Sequence, residues 1–122
     1  MLTSPNYPDN YPNDVERTDI IEVDEGLVVA LKFTAFNVES CSTCRCDHLT
    51  ILDGDGTTLM EKRCGSSLPA NTIVSTSNRV ELYFKTDIVD SRSGWSVSWS
   101  ALTEGEFQNV SVKARICCSF AK

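Results

Sequence analysis

The sequence is short of histidine, of basic charge and of long apolar runs. His48 is the sole imidazole among 122 residues. Ser-His-Asp chemistry needs a base beside its nucleophile, and here only His48 offers one, with no plausible nucleophile to pair with it. There is no glycine-rich phosphate loop, and a cysteine nucleophile needs a free, activated thiol, which the disulfide usage argued below opposes. The chain is therefore read as non-catalytic. It carries 11 basic residues against 17 acidic ones, a net charge of -6, with no basic stripe. That argues against a nucleic-acid partner and suits cations or partners bearing Lys or Arg. The longest uninterrupted apolar run is residues 27–31, far short of the roughly 18 residues that span a bilayer. The opening "MLTSPNYPDN" has no basic and apolar leader. It is not itself a signal peptide, and this says nothing against secretion. No stretch shows helical periodicity, and no internal repeat or low-complexity segment is present.

What is there is alternation. With 41% hydrophobic residues, a chain of this length can bury about two-thirds of its unfolded surface around one core. Leu27, Val29, Leu31 and Phe33 alternate with Val28, Ala30 and Lys32. Val80, Leu82 and Phe84 alternate with Arg79, Glu81, Tyr83 and Lys85, and Trp95, Val97 and Trp99 alternate with serines. Period two with one apolar phase means strands with one buried face. Further strands are expected over 18–23, 47–53 and 72–76. Turns are expected at "DEG" (24–26) and at "DGDG" (53–56), the latter a tight hairpin. Three prolines make residues 4–14 an extended, irregular opening segment. A last half-buried strand is expected over 108–118, with Cys118 in its buried phase and Cys117 in its outward phase. Several short strands with turns between them predict an all-β sandwich.

Six cysteines, Cys41, Cys44, Cys46, Cys64, Cys117 and Cys118, are many for the length and favour an oxidising compartment. The sequon Asn109-Val110-Ser111 agrees with it, and reads equally well as an unmodified strand. In "CSTCRC", followed by His48, zinc competes with disulfides. Structural zinc sites usually draw two ligands from each of two hairpins, and the second half here would be Cys64 alone, or Cys117-Cys118, which lacks the usual spacer. His48 reads as an ordinary strand residue. "DGDG" is read as a turn only, because an EF-hand loop starting at Asp53 would need Gly where Thr58 stands and Glu where Cys64 stands.

Four motifs in order, "SPNYPDNYP" (4–12), "CRCDHLTILDG" (44–54), "RCG" (63–65) and "LYFKTD…GWSVSW" (82–99), resemble a CUB domain over residues 3–101. The likeness is greatest to the CUB modules of complement-type serine proteases. It implies a disulfide-stabilised, jelly-roll-like β-sandwich of two antiparallel sheets, secreted and used for binding. Residues 102–122 are then a C-terminal extension. The first disulfide of many CUB domains is absent, since no cysteine precedes Cys41. The family's second disulfide, carried across, joins Cys44 to Cys64. Cys41, Cys46, Cys117 and Cys118 are extra to the pattern. Adjacent cysteines rarely bridge each other, so the expectation is two bridges tying the tail to the 41–46 loop, partners unassigned. Linkage between chains stays open.

The same resemblance implies calcium. Complement-type modules hold it with three acids at one end of the sandwich, and the matching positions are Glu39, Asp47 and Asp87. Tyr11 supports the site, and Ile88 and Val89 add backbone carbonyls. Asp90 departs from the small polar residue expected there. Calcium takes six to eight oxygen ligands at about 2.3–2.6 Å, and it would offset the repulsion among three carboxylates. The implied function is calcium-dependent binding of an extracellular protein whose Lys or Arg docks on Glu39, Asp47 and Asp87, in a dimer or multivalent assembly. The alternative is glycan or cell-surface adhesion of the single-domain seminal-fluid type, not necessarily calcium-dependent, with Tyr83 and Arg79 as candidate contacts.

Overall fold

The structure is a computed structural model that describes residues 1–103. Eight strands follow one another: β1 (Leu2–Thr3), β2 (Glu16–Glu22), β3 (Val28–Asn37), β4 (His48–Asp53), β5 (Thr58–Arg63), β6 (Ile73–Val74), β7 (Arg79–Lys85) and β8 (Gly94–Leu102). A 3-10 turn at Ser42–Cys44 is the only helical element among the described residues. One sheet has the order β1-β8-β3-β6 and the other β2-β7-β4-β5, and every pairing is antiparallel. The expected two-sheet, all-β sandwich is what forms.

Alternation explains the core. Val29, Leu31 and Phe33 of β3, Leu49 and Ile51 of β4, Val80, Leu82 and Phe84 of β7, and Trp95 and Val97 of β8 meet between the sheets. Trp95 lies at its centre, edge-on to Phe84 with ring centroids 5.7 Å apart. Phe84 also packs edge-on against Tyr11 at 5.1 Å. Each such side chain removes on the order of 150–250 Å² from water, which makes this aromatic stack the main apolar anchor of the fold.

Four features depart from simple alternation. β3 runs on to Asn37 through a register shift between Phe33 and Ala35. The bulge reverses the phase, so that Phe33 and Phe36 are both buried. Trp99 keeps the phase of Trp95 yet is 44% exposed. β1 pairs with β8 only at Ser96 and Val97, and Trp99 lines an open surface hollow with Leu2, Ile20 and Ile21. β5, which has no clean alternation, forms because the 53–56 turn folds it back onto β4. β1 pairs through only two residues, too few to leave a periodic signal. As expected, residues 4–14 are turns and irregular backbone. The strand expected over 108–118, the Asn109 sequon, Cys117, Cys118 and nearly all of the 102–122 extension lie outside the described residues.

The disulfides differ from the expectation in one respect. Cys44 is joined to Cys64, and Cys41 is joined to Cys46. Two bridges from the tail to the loop are therefore not formed. The 3-10 turn curls residues 41–46 back on themselves, bringing the Cα atoms of Cys41 and Cys46 within 6.0 Å, inside the range a disulfide spans. Local chain geometry supplies the partner that was sought in the tail.

Candidate metal centre

Three segments converge at one end of the sandwich. The first is the opening segment, pinned where it crosses the start of β8. Ser4 N–H donates to the Trp95 carbonyl at 2.9 Å, and Trp95 N–H donates to Ser4 Oγ at 3.0 Å. Gly94 permits the crossing: its φ is +88°, and a Cβ there would collide with Ser4 and approach the Tyr11 ring. Tyr11 N–H then donates to the Arg92 carbonyl at 3.0 Å, which sets the Tyr11 ring against Phe84.

The second segment is the loop between β3 and β4, which carries Glu39 and Asp47. Val38 and Gly65 exchange backbone hydrogen bonds at 2.9 and 2.8 Å, and the Cys44–Cys64 bridge holds the middle of the loop. The third is the loop after β7, which carries Asp87. Fully buried Thr86 fixes its start, donating its hydroxyl to the Pro12 carbonyl at 3.2 Å and accepting from Val15 N–H at 2.7 Å.

Tyr11 links the first two segments. Its hydroxyl donates to Asp47 Oδ2 at 2.6 Å and accepts from Glu39 N–H at 2.9 Å. Asp87 N–H donates to Asp47 Oδ1 at 2.8 Å, joining the third segment. Both oxygens of fully buried Asp47 are thus engaged. Burial and the Asp47 hydrogen bond push the Tyr11 phenol above its ordinary range, so it acts as a neutral donor. Tyr11 meets the backbone of Glu39 rather than its carboxylate.

The carboxylates are under-supplied. Glu39 Oε1 is buried with no hydrogen-bond partner. Burial first, and then the charges of Asp47, Asp87 and Asp90, raise the Glu39 pKa. Asp47 is raised as well: burial and the Asp87 charge outweigh the hydrogen bonds from Tyr11 and Asp87 N–H. A carboxylate oxygen of Glu39, one of Asp87 and the sulfur of Cys46 lie within 4.8 Å of one another. Cys46 is in a disulfide and supplies no thiolate ligand. The orphaned Glu39 oxygen and an Asp87 oxygen are hard donors of the kind calcium takes, while Asp47 lies outside that close set, with both its oxygens held by Tyr11 and Asp87 N–H. Ile88 and Val89 follow Asp87 with 73% and 56% exposure, and Val89 N–H donates to Asp87 Oδ1 at 3.2 Å.

His48 stands apart from the cluster. It is buried, with Nδ1 3.0 Å from the Cys44 carbonyl, and burial, followed by the charge of Lys62, lowers its pKa. On the outer face, Arg79 pairs with Glu81 at 3.0 Å and Tyr83 donates to Glu16 at 2.9 Å. The supporting role of Thr86 and the placement of Cys46 beside the acids are not signalled by the residue pattern. Thr86 lies inside the "LYFKTD" segment of the fourth motif, whereas nothing in the sequence sets Cys46 beside the acids.

Two antiparallel sheets, a disulfide-bridged loop between β3 and β4, and an acidic end built from three segments define a disulfide-stabilised β-sandwich module. The chain belongs to the CUB domain family, whose model matches residues 1–99. It is 42% identical over 101 residues to protein SpAN of Strongylocentrotus purpuratus, covering 83% of this chain and 16% of that protein. It is also 42% identical over 107 residues to human cubilin, covering 85% of this chain and 3% of cubilin. The chain thus spans a small fraction of these curated relatives. Among solved structures it superposes on the CUB1-EGF-CUB2 region of human MASP-1/3 with a TM-score of 0.78 at 28% identity, covering 90% of this chain and 44% of that one. The MASP-1 CUB2 domain bound to Ca2+ matches with a TM-score of 0.69 at 29% identity, covering 80% of this chain and 88% of that one.

Proposed function

We propose that this chain is a non-catalytic extracellular module that binds one calcium ion at Glu39, Asp47 and Asp87 and recognises a basic side chain of a protein partner there. The observation that carries the reading is the buried, partnerless Glu39 Oε1 beside the Asp47 and Asp87 carboxylates. The calcium-bound MASP-1 domain among the structural relatives supports the choice of ion. Ile88 and Val89 would add backbone carbonyls, and water would fill the remaining positions.

The roles divide by burial. Asp47 is the buried pivot: Tyr11 and Asp87 N–H orient it, and it cannot turn away. Glu39 and Asp87 are half-buried, so they can face both an ion and a partner. Bound calcium supplies the positive charge that lets the acids sit together ionised. A partner Lys or Arg then meets preorganised oxygens, with a charge-assisted hydrogen bond and little ordering cost. The exposed Ile88 and Val89 side chains give the partner an apolar contact beside the charge. One such contact is weak, and the module is expected to act in a dimer or multivalent assembly.

The test uses a peptide with a single lysine and apolar neighbours, displayed densely on a surface, against the same peptide with that lysine acetylated. Binding should require calcium, require the free amine and vanish in Glu39→Ala and Asp87→Ala. Full binding by either variant, or in chelator, would refute the mechanism.

A further inference from the structure

The Cys41–Cys46 bridge lies inside the loop that carries two of the acids, between Glu39 and Asp47, and Cys46 Sγ is within 4.8 Å of Glu39 and Asp87 oxygens. We propose that this bridge is a positioning element of the acidic corner. In this view it holds the Glu39 loop in its ion-accepting shape, and a dithiol reductant that opens it weakens calcium binding. The inference rests on the calcium reading above.

Three observations carry it. First, the loop is already pinned at both ends and at its middle, by Val38–Gly65, Asp47 and Cys44–Cys64, without the second bridge. The Cys41–Cys46 bridge is thus not needed to attach the loop to the sheets, and what it shapes is the stretch next to Glu39. Second, the turn it closes holds two successive non-glycine residues at positive φ, Thr43 at 58° and Cys44 at 51°. That backbone is disfavoured, most of all for a β-branched residue, and it persists where the surroundings impose it. Cys46 N–H donating to Cys41 Sγ at 3.0 Å and Cys44 N–H donating to the Cys41 carbonyl at 3.0 Å complete the tight ring. Third, the two bridges differ in setting. Cys64 packs against the hydrophobic core, whereas Cys41 and Cys46 are part-exposed and flank the exposed Ser42, Thr43 and Arg45.

Opening the ring needs a reductant from outside. A dithiol attacks one sulfur as thiolate and forms a mixed disulfide. Its second thiol then displaces the protein sulfur and leaves within a cyclic disulfide. Two electrons and two protons end on Cys41 and Cys46 as thiols. The loop then samples conformations that ion binding must reverse. Closing so small a ring corresponds to a factor of at most about forty in an equilibrium constant.

The experiment titrates the full chain with calcium chloride by calorimetry, comparing the oxidised wild type with the Cys41→Ser/Cys46→Ser variant, which keeps Cys44 and Cys64. The expected result is a dissociation constant raised roughly tenfold to fortyfold in the variant. Hydrogen exchange without calcium should be faster in the variant over residues 39–47 and unchanged in β7 and β8. Should the variant misfold, wild type opened by limiting dithiothreitol and alkylated, with Cys44–Cys64 mapped intact, should show the same weakening. Equal affinities in oxidised and opened protein would overturn the proposal. A wild type that binds no calcium would overturn the calcium reading, and unchanged exchange over 39–47 would separately overturn the positioning role.

Discussion

Two buried aspartates flank strand β4, and they are treated in opposite ways. Asp53, at its end, is supplied by donors: Gly54 N–H at 2.7 Å, Thr76 N–H and Oγ1–H at 2.8 Å each, and Ser77 Oγ–H at 2.6 Å. Burial raises its pKa, but these hydrogen bonds outweigh burial and the net shift is downward. Asp47, just before β4, receives two hydrogen bonds and faces further carboxylates, and its net shift is upward. Asp53 is complete within the protein. Asp47 belongs to a group of carboxylates that repel one another and have too few donors to balance their charge. Burial is common to both, so what separates the structural Asp53 from the Asp47 proposed to bind is the supply of donors.

This contrast can be broken at either end. Asp53→Ala should cost about 2–4 kcal/mol in chemical denaturation by leaving several donors without an acceptor, with calcium affinity unchanged. Glu39→Gln should reverse that pattern. Calcium affinity should fall about a hundredfold, on the order of 2.7 kcal/mol, while the calcium-free protein melts no lower than wild type, since a repelled charge is gone. Tyr11→Phe should cost about 1–2 kcal/mol and also weaken calcium binding, because one hydroxyl serves both Asp47 and the Glu39 backbone.

Acid titration sharpens the comparison further. The folded pKa of Asp53 lies below its unfolded value, so its stabilisation is complete above about pH 4 and is lost as pH falls through the folded value. Asp53→Asn should flatten that part of the stability–pH curve. The smallest effect is expected from Tyr83→Phe, within about 0.5 kcal/mol, because its bond to Glu16 lies at the surface.

The sequence made some of this legible and hid the rest, for physical reasons. β7 follows strict alternation and its phase can be read directly, while in the first half of β8 the Trp/Ser/Val alternation marks the core-facing residues although Ser96 is buried as well. Phe36 could not be read that way, because a bulge reverses the phase ahead of it. β1 is too short to show a period. The acids at 39, 47 and 87 were marked by family resemblance, since isolated acids in loops carry no pattern of their own. The donor supply of Asp53 was invisible because Thr76 and Ser77 reach it from more than 20 residues away. Cys41–Cys46 was missed because its pairing depends on a 3-10 turn with positive φ at Thr43, which no periodicity signals.

The most direct test of the central claim is calcium titration calorimetry of the oxidised wild type beside Glu39→Gln, at neutral pH and physiological salt. The account predicts one ion per wild-type chain with a dissociation constant at or below about a millimolar, and binding in the variant about a hundredfold weaker. No saturable heat from the wild type at millimolar calcium, or equal binding by the two proteins, would contradict it.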